Sequence, residues 1–103
     1  MAYRVFFLNK LRKSVDPQDY EHWVRETDYP VARRDPAIQR YEVTRVDGAL
    51  SGESASVDYL EVLEVTGIEE YRRTIETSEF KSLLAEWSEF VESSEAIYGE
   101  VIE

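Results

Sequence analysis

The chain has 103 residues, of which 43% are hydrophobic, 13% aromatic and 33% charged, a composition typical of one compact domain and not of a disordered or fibrous chain. Twelve Lys and Arg residues against 22 Asp and Glu residues give a net charge of −10, which disfavours binding to nucleic acids and to anionic membranes. The absence of cysteine excludes disulfides and thiolate chemistry, and no apolar run reaches the roughly 20 residues that a transmembrane helix needs, so we predict a cytoplasmic domain that spans residues 1–103.

The N-terminal part of the chain predicts a central strand followed by a helix. Residues 3–9 have β-forming side chains at both odd and even positions, which is typical of a strand covered on both faces. Asp16 and Pro17 are typical of a helix start, because Asp caps free N–H groups and Pro has no N–H to lose. Tyr20 and Trp23 lie on one apolar stripe, which should pack against the sheet.

The middle of the chain predicts an irregular junction and the second strand. Pro30 disfavours helical geometry at the residue before it, so the helix should end near Asp28 and an irregular stretch should occupy residues 29–36. Residues 38–46 are expected to form a strand. Residues 47–57 are small or polar and predict a long hairpin loop, which is either a functional flap or a tip without a function.

The second half predicts a strand, a long helical region and a last strand. Residues 58–65 form the third expected strand. Thr66 and Glu69 fit a capping box at the start of a helix, and a second cap at residue 77 or 78 should restart the helix. Its apolar arc ends around residues 93–94, and the last strand is predicted over residues 97–103.

The order β-α-β-β-α-β predicts an α+β protein of the ferredoxin-like class, with a four-stranded antiparallel sheet and two helices on one face. The first and third strands should be central, and both have apolar residues on the two faces: Val5 and Phe7 against Phe6 and Leu8, and Tyr59 and Leu63 against Leu60 and Val62. The face without helices therefore needs a cover. A second copy of the same sheet is the simplest one, which predicts a homodimer of the dimeric α+β barrel type.

The only histidine, His22, is one candidate general acid or base. Helical periodicity places it on the solvent side near Glu26, where an ordinary surface pair is the alternative. One histidine without cysteine does not make a metal site, and the glycine-rich phosphate loops and the serine nucleophile motif are absent. We therefore predict neither a metal nor a cofactor.

The junction after the first helix is a second candidate site. Asp28 could accept a proton or orient a donor, Tyr29 could donate to a ligand oxygen, and Arg33 or Arg34 could bind a carboxylate. The alternative is that Asp–Arg pairs only shape the turn.

Charged side chains of the strands form a third set. Arg40, Glu42, Arg45 and Glu61 project from faces that should both be covered, so we expect cross-strand or cross-dimer ion pairs, with a polar ligand cavity as the alternative. Trp23 and Trp87 are expected to be core residues.

The sequence resembles the REDY-like (HapK-type) family of the dimeric α+β barrel superfamily over essentially its whole length. The resemblance rests on the stretch Asp16–Pro30, which includes Arg25-Glu26-Thr27-Asp28-Tyr29, and on Tyr59-Leu60-Glu61-Val62. The family is named for a contiguous Arg-Glu-Asp-Tyr, which Thr27 interrupts here. The resemblance implies a small accessory protein or enzyme of pigment or antibiotic biosynthesis of the prodigiosin type. Related barrels include cofactor-free monooxygenases that bind aromatic polyketides between sheet and helices.

Two functions remain open. In the first, a homodimer binds a small aromatic metabolite between the sheet and the first helix and catalyses proton abstraction or cofactor-free oxygenation. Asp28 or His22 would be the base, and Tyr29 or Tyr41 would hold the oxyanion. The substrate-binding side chains would be Trp23, Arg33, Tyr41 and Tyr59.

In the second, the protein is a non-catalytic scaffold or chaperone-like module that binds a pathway enzyme through its acidic surface. An enclosed cavity of several hundred Å³ at Asp28, Tyr29 or Tyr41 would favour the first function, and a filled interior the second.

Overall fold

The computed structural model describes residues 2–103, so Met1, the first residue of the predicted domain, lies outside it. The elements are, in chain order, β1 (Tyr3–Leu11), α1 (Pro17–Trp23), a π-helical turn (Val24–Asp28), α2 (Tyr29–Arg34), β2 (Ile38–Arg45), β3 (Tyr59–Val65), α3 (Ile68–Ile75), α4 (Ser78–Phe90) and β4 (Val91–Glu100). None of the helices in this range has the length and apolar composition needed to cross a bilayer.

The four strands form one antiparallel sheet in the order β2-β3-β1-β4. The two most apolar strands, β1 and β3, are central, and the helices cover one face. The predicted ferredoxin-like α+β fold is therefore confirmed.

The two faces of the sheet differ in burial. Side chains alternate along β3, so that Tyr59, Glu61, Leu63 and Val65 are buried under the helices. The opposite face is the open sheet face, and its apolar residues are partly exposed: Phe6, Leu8, Leu60, Val62 and Ile97. The core lies between the first face and the helices.

The first helix does not end near Asp28, and residues 29–36 are not irregular as predicted. The chain stays helical to Arg34, because a π turn precedes Pro30. In this turn the Tyr29 N–H donates to the Val24 carbonyl, five residues back. In an α-helix the ring of Pro30 would clash with the carbonyl four residues back, and the wider turn relieves that clash.

Two predicted boundaries in the second half are also wrong. The capping box at Thr66 and Glu69 does not form, and α3 begins after Gly67 without a side-chain cap. The Thr66 N–H instead donates to the Ala37 carbonyl, which extends the contact of β2 with β3. The last strand begins directly after α4, at Val91, and ends at residue 100, because residues 93–100 pair with β1 despite their polar side chains.

Candidate acid–base site

Two buried carboxyl groups flank one phenol under the helices. The Tyr41 hydroxyl lies 2.6 Å from Asp28 Oδ2 and 2.6 Å from Glu61 Oε1. The three residues are only 4%, 3% and 5% exposed for Asp28, Tyr41 and Glu61, respectively. None of the ion pairs found within residues 2–103 includes either carboxyl group. Two acids thus share a water-poor site without a bound cation from a side chain.

Three different elements position this cluster. Asp28 is the last residue of the π turn, and Glu61 lies on the central strand β3, opposite Phe7 of β1. Tyr41 lies on the neighbouring edge strand β2. The Arg33 guanidinium of α2 donates to the Tyr41 carbonyl, with 2.8 Å from its terminal nitrogen and 3.2 Å from Nε. The cluster therefore forms only when sheet and helices have packed.

Glu61 accepts more hydrogen bonds than Asp28. The Asn9 side-chain amide and the Trp87 indole N–H, 3.1 Å away, both donate to Glu61 Oε2. The Ser94 hydroxyl donates to Asn9 Oδ1 at 2.6 Å, which directs the amide N–H groups of Asn9 towards Glu61. With Tyr41, three donors surround the Glu61 carboxyl group, an arrangement that favours its charged form.

The number of protons shared by Asp28, Tyr41 and Glu61 indicates which carboxyl group is charged. The Tyr41 hydroxyl has one proton and two carboxyl oxygens at hydrogen-bond distance, so a second proton is needed to satisfy both contacts. Glu61 has two further donors, Asn9 and Trp87, whereas Tyr41 is the side chain that contacts Asp28. The geometry therefore favours the added proton on Asp28, with a hydrogen bond from Asp28 to Tyr41 and from Tyr41 to a charged Glu61.

The electrostatic environment agrees with this assignment. Burial, together with the nearby charge of Glu61, raises the pKa of Asp28 to about 7, although Tyr41 and Arg33 act against the shift. Burial also raises the pKa of Glu61, while the hydrogen bonds from Tyr41, Asn9 and Trp87 lower it. An acid with a pKa near neutrality can both give and take a proton at physiological pH.

A cavity of about 30 Å³ adjoins the carboxyl pair. It has room for about two water molecules. This volume is far below the several hundred Å³ that would favour a ligand at Asp28 and Tyr41. A larger hollow of about 540 Å³ opens nearby, between α3 and β4 and not between the sheet and α1 as predicted. Four side chains line both spaces: Phe7, Tyr71, Ile75 and Leu84.

Tyr29 and Arg33 lie beside the cluster but have structural contacts of their own. The Tyr29 hydroxyl accepts the Val43 N–H at 2.8 Å, and its ring meets the Tyr41 ring edge-on at 5.4 Å. The Arg33 guanidinium lies 3.6 Å from the centre of the Tyr29 ring. No Asp–Arg pair shapes this junction within residues 2–103; Arg34 pairs with Glu79 of α4.

The other predicted site residues lie away from the carboxyl pair. His22 is exposed on α1. The Trp23 indole N–H donates to Glu86 at 3.1 Å, and the Tyr59 hydroxyl donates to Glu21 at 2.5 Å. Of the seven predicted site residues, the structure thus joins Asp28 and Tyr41 directly.

The predicted ion pairs of the strands are partly wrong. Arg45 pairs with Glu21 of α1, and hydrogen bonds from Arg45 and Tyr59 lower the pKa of Glu21 to about 2. Arg40 pairs with Glu42 on its own strand. In the part of the chain that the structure describes, Glu61 pairs with no arginine, because its position on the inner face of β3 is enclosed by neutral donors.

Sequence reasoning missed Asn9 and Trp87 as parts of a site, whereas Glu61 was expected in an ion pair of the strands, with a polar ligand cavity as the alternative. Asn9 and Glu61 occupy inward positions of the two central strands, where the neighbouring inward residues are apolar or aromatic. A polar residue at such a position was the available signal. Trp87 was expected to be a core residue without a polar role, but its indole N–H donates a hydrogen bond to Glu61. Within residues 2–103, no three His, Cys, Asp or Glu side chains come together as a metal-binding group.

The comparisons with known proteins agree with the fold. A family model described as REDY-like protein HapK matches residues 3–102. The crystal structure of HapK from Hahella chejuensis is 26% identical with a TM-score of 0.82, and the alignment covers 97% of this chain and 92% of that one. No curated protein matches the sequence.

Two further solved structures share the fold at lower identity. A dimeric ferredoxin-like protein of unknown function from Thermobifida fusca is 19% identical, with a TM-score of 0.75 and coverage of 98% of this chain and 92% of that one. A DABB family protein with a ferredoxin-like fold from Mesorhizobium loti is 11% identical, with a TM-score of 0.78 and coverage of 99% and 98%.

Proposed function

The chain belongs to the family of REDY-like protein HapK, and from this premise we propose that it binds a small molecule of a biosynthetic pathway and exchanges a proton with it through Asp28. The observation that carries the proposal is the Tyr41 hydroxyl at 2.6 Å from two buried carboxyl groups. Burial of two acids without a cation costs stability, and such pairs are typical of proton-transfer sites.

The proposed chemistry is cofactor-free acid–base catalysis. When Asp28 gives its proton to a basic atom of the ligand, the Tyr41 hydroxyl turns from Glu61 towards the new carboxylate and stabilises it. In the reverse direction, ionised Asp28 removes a proton from the ligand and Tyr41 turns back to Glu61. Glu61 keeps its charge throughout, because Asn9 and Trp87 still donate to it when Tyr41 turns away.

The substrate class in this proposal is an aromatic intermediate of pigment or antibiotic biosynthesis, of the prodigiosin or polyketide type. Proton abstraction from such a ring leaves a carbanion, and a cofactor-free oxygenation would follow only if molecular oxygen then oxidised this carbanion. The ring occupies the hollow between α3 and β4, and movement of the side chains shared with the inner cavity brings it to Asp28.

The test combines binding and exchange. Thermal-shift screening against pyrrole aldehydes and aromatic polyketides should find ligands that raise the melting temperature. With such a ligand in D2O, wild-type protein should accelerate deuterium uptake at an acidic position, and Asp28→Asn should reduce the rate by about 100-fold or more. The control Asp19→Asn changes an exposed acid of α1 and should leave the rate unchanged. The absence of any stabilising ligand, or a full rate in Asp28→Asn, would contradict the proposal.

A non-catalytic scaffold is the second candidate, and the small volume at Asp28 favours it. In that case the acidic outer surface of α4 docks a basic pathway enzyme. Pull-down from the producing cells at low and moderate salt, followed by a test of activity of the captured enzyme, distinguishes the two. If the protein is a scaffold, the wild type and Asp28→Asn should change the activity of the captured enzyme to the same extent.

We also propose that the protein is a homodimer joined through the open sheet face. Partly exposed Phe6, Leu8, Leu60 and Val62 form an apolar surface on one side of the molecule. The Thermobifida fusca protein with the same fold is described as dimeric. Two such faces packed together would cover the apolar residues that the helices leave uncovered.

A further inference from the structure

The hollow between α3 and β4 has a distinctive distribution of charge. We call it the α3–β4 groove. Its floor is apolar, with Val5 and Phe7 from β1 and Leu84 from α4. Tyr71 of α3 is buried at the boundary with the inner cavity, whereas Tyr98 of β4 is 56% exposed at the outer edge. Two aromatic rings thus stand at the inner and outer ends of one apolar groove.

Among the described residues that line the groove, one is a cation, Arg72 of α3. Its guanidinium lies 5.8 Å from the centre of the Tyr98 ring, and none of the ion pairs within residues 2–103 includes it. The one acid that lines the groove, Glu76, already pairs with Lys81 at 3.4 Å. In a chain with a net charge of −10, this arrangement leaves a local positive site at the mouth of an apolar groove.

We infer that the α3–β4 groove binds a planar aromatic ligand with an anionic group, such as a carboxylate or sulfonate. The anionic group pairs with Arg72, and the ring lies on the apolar floor between Tyr98 and Tyr71. A guanidinium suits this role because its planar N–H groups match the oxygens of such anions. The inference rests on the proposed function in one respect, that this hollow is where the small molecule binds.

The location of the groove agrees with an open binding site. The groove lies on the helix side of the sheet, since Tyr98 and Val5 are paired residues that both point to that side. Ile97 of β4 lines the groove and also belongs to the open sheet face, so dimerisation through that face would leave the helix side of the groove accessible. A ligand anchored at Arg72 would place its far end at Tyr71, beside the cavity that contains Asp28.

The experiment compares two dyes that differ only in the anionic group. 1-Anilinonaphthalene-8-sulfonate carries a sulfonate, whereas N-phenyl-1-naphthylamine is its neutral counterpart. Fluorescence titration should show one site per chain for each dye. Arg72→Gln should weaken the sulfonate dye by about five- to tenfold and leave the neutral dye unchanged. Tyr98→Ala should weaken both dyes, because it removes one wall of the groove.

Arg73→Gln is the matched control, since Arg73 is the next residue of α3, is exposed and does not line the groove. It removes the same charge and should change neither dye. Equal weakening of the sulfonate dye by Arg72→Gln and Arg73→Gln would mean a general charge effect and would overturn the inference. Unchanged dye affinity in both Arg72→Gln and Tyr98→Ala would also overturn it. If Arg72→Gln changed the sedimentation coefficient but not the dye affinity, Arg72 would belong to a contact between copies and the inference would be wrong.

Asp28→Asn separates this inference from the proposed function. It should reduce the rate of proton exchange by about 100-fold or more but leave the affinity for both dyes unchanged, because Asp28 does not line the groove. If Asp28→Asn loses proton exchange while Arg72→Gln leaves the affinity for the sulfonate dye unchanged, only the groove assignment is contradicted. A response of the sulfonate dye to Arg72→Gln with no proton exchange by the wild type would contradict the catalytic proposal alone.

Discussion

Asp28 has a raised pKa mainly because it is buried, with the nearby charge of Glu61 as a further cause. This position has a consequence for stability. The proton is bound more tightly in the folded than in the unfolded protein, so the group stabilises the fold fully below pH 4. That contribution is lost as the pH rises to about 7.

Asp28→Asn should therefore stabilise the protein at alkaline pH. The introduced amide can donate to Tyr41 as the protonated acid does, but it does not ionise. We expect equal unfolding free energies for variant and wild type near pH 4, and a variant that is more stable at pH 8 by about 4 kcal/mol at most, from a pKa shift of 3.8 to about 7. Urea unfolding at several pH values measures this difference. Asp19→Asn is the control, and a difference that stays constant with pH would contradict the assignment of the proton to Asp28.

Glu61→Gln should lower the pKa of Asp28. It removes the charge that raises this pKa, and the introduced amide can donate to Tyr41, whose hydroxyl then donates to Asp28. Carbon-13 NMR titration of the Asp28 carboxyl carbon measures the change. Glu64→Gln alters an acid on the opposite face of the same strand and should leave the titration unchanged. A pKa of Asp28 that rises or stays near 7 in Glu61→Gln would show that Glu61 is not the charged partner.

Half of this site could be predicted from the sequence. Asp28 and Tyr41 were candidates because an acid and a phenol stood near a helix end and on a strand. Their meeting with Glu61 depends on the register of β3 against β1 and β2, which no local pattern specifies. Tyr59 and Trp23 were expected to contact the ligand. Instead, the Tyr59 hydroxyl donates to Glu21 and the Trp23 indole N–H donates to Glu86, and both acceptors are far away in the sequence.

At the scale of elements, the π turn explains the interrupted family sequence. The Tyr29 N–H donates to the carbonyl of Val24, five residues back. If one residue between them is removed, the same two groups are four residues apart, which is the α-helical spacing. The turn can thus hold Thr27 as an insertion without displacing the residues on either side.

Deletion of Thr27 should consequently be tolerated. We expect a continuous helix from α1 into α2 that is kinked at Pro30, because α-helical spacing restores the clash of its ring, together with a contiguous Arg-Glu-Asp-Tyr. The melting temperature should fall by less than after a deletion inside α4, and Asp28 should still titrate near 7. The control is deletion of Ala85 within α4, which rotates Trp87 relative to Leu83 and should lower the melting temperature substantially. Circular dichroism and NMR titration measure both effects. Equal damage from the two deletions would contradict this account of the turn.

The elements also show where pattern reasoning was sufficient. Apolar residues on both faces of β1 and β3 correctly placed them at the centre of the sheet. Pro30 was taken as a helix end because the local preference was considered without the possibility of a wider turn. The start of β4 was misjudged because its polar residues hide a strand whose hydrogen bonds come entirely from pairing with β1.

At the scale of the whole molecule, the open sheet face predicts how copies associate. Val62 lies at its centre, on β3, and Glu42 and Phe6 are its cross-strand neighbours. Val62→Glu should convert a dimer into monomers, because a charge would be buried without a partner in the interface. Sedimentation velocity at micromolar concentration measures the change.

Leu50→Glu is the control for this prediction, since Leu50 is fully exposed in the loop between β2 and β3. It also replaces an aliphatic side chain by a carboxylate and should leave the sedimentation coefficient at the wild-type value. A wild-type protein that sediments as a monomer, or a dimer that persists in Val62→Glu, would place the contact elsewhere or exclude it.

Successive residues of β1 serve opposite sides of the molecule: Phe7 borders the cavity and the groove, while its neighbour Phe6 belongs to the open sheet face. A single backbone therefore stands between the proposed ligand and the proposed twin chain. If ligand binding and dimerisation are coupled through this strand, the coupling free energy is the same in both directions. Bound ligand would then increase the affinity of dimerisation by the same factor by which dimerisation increases the affinity for the ligand.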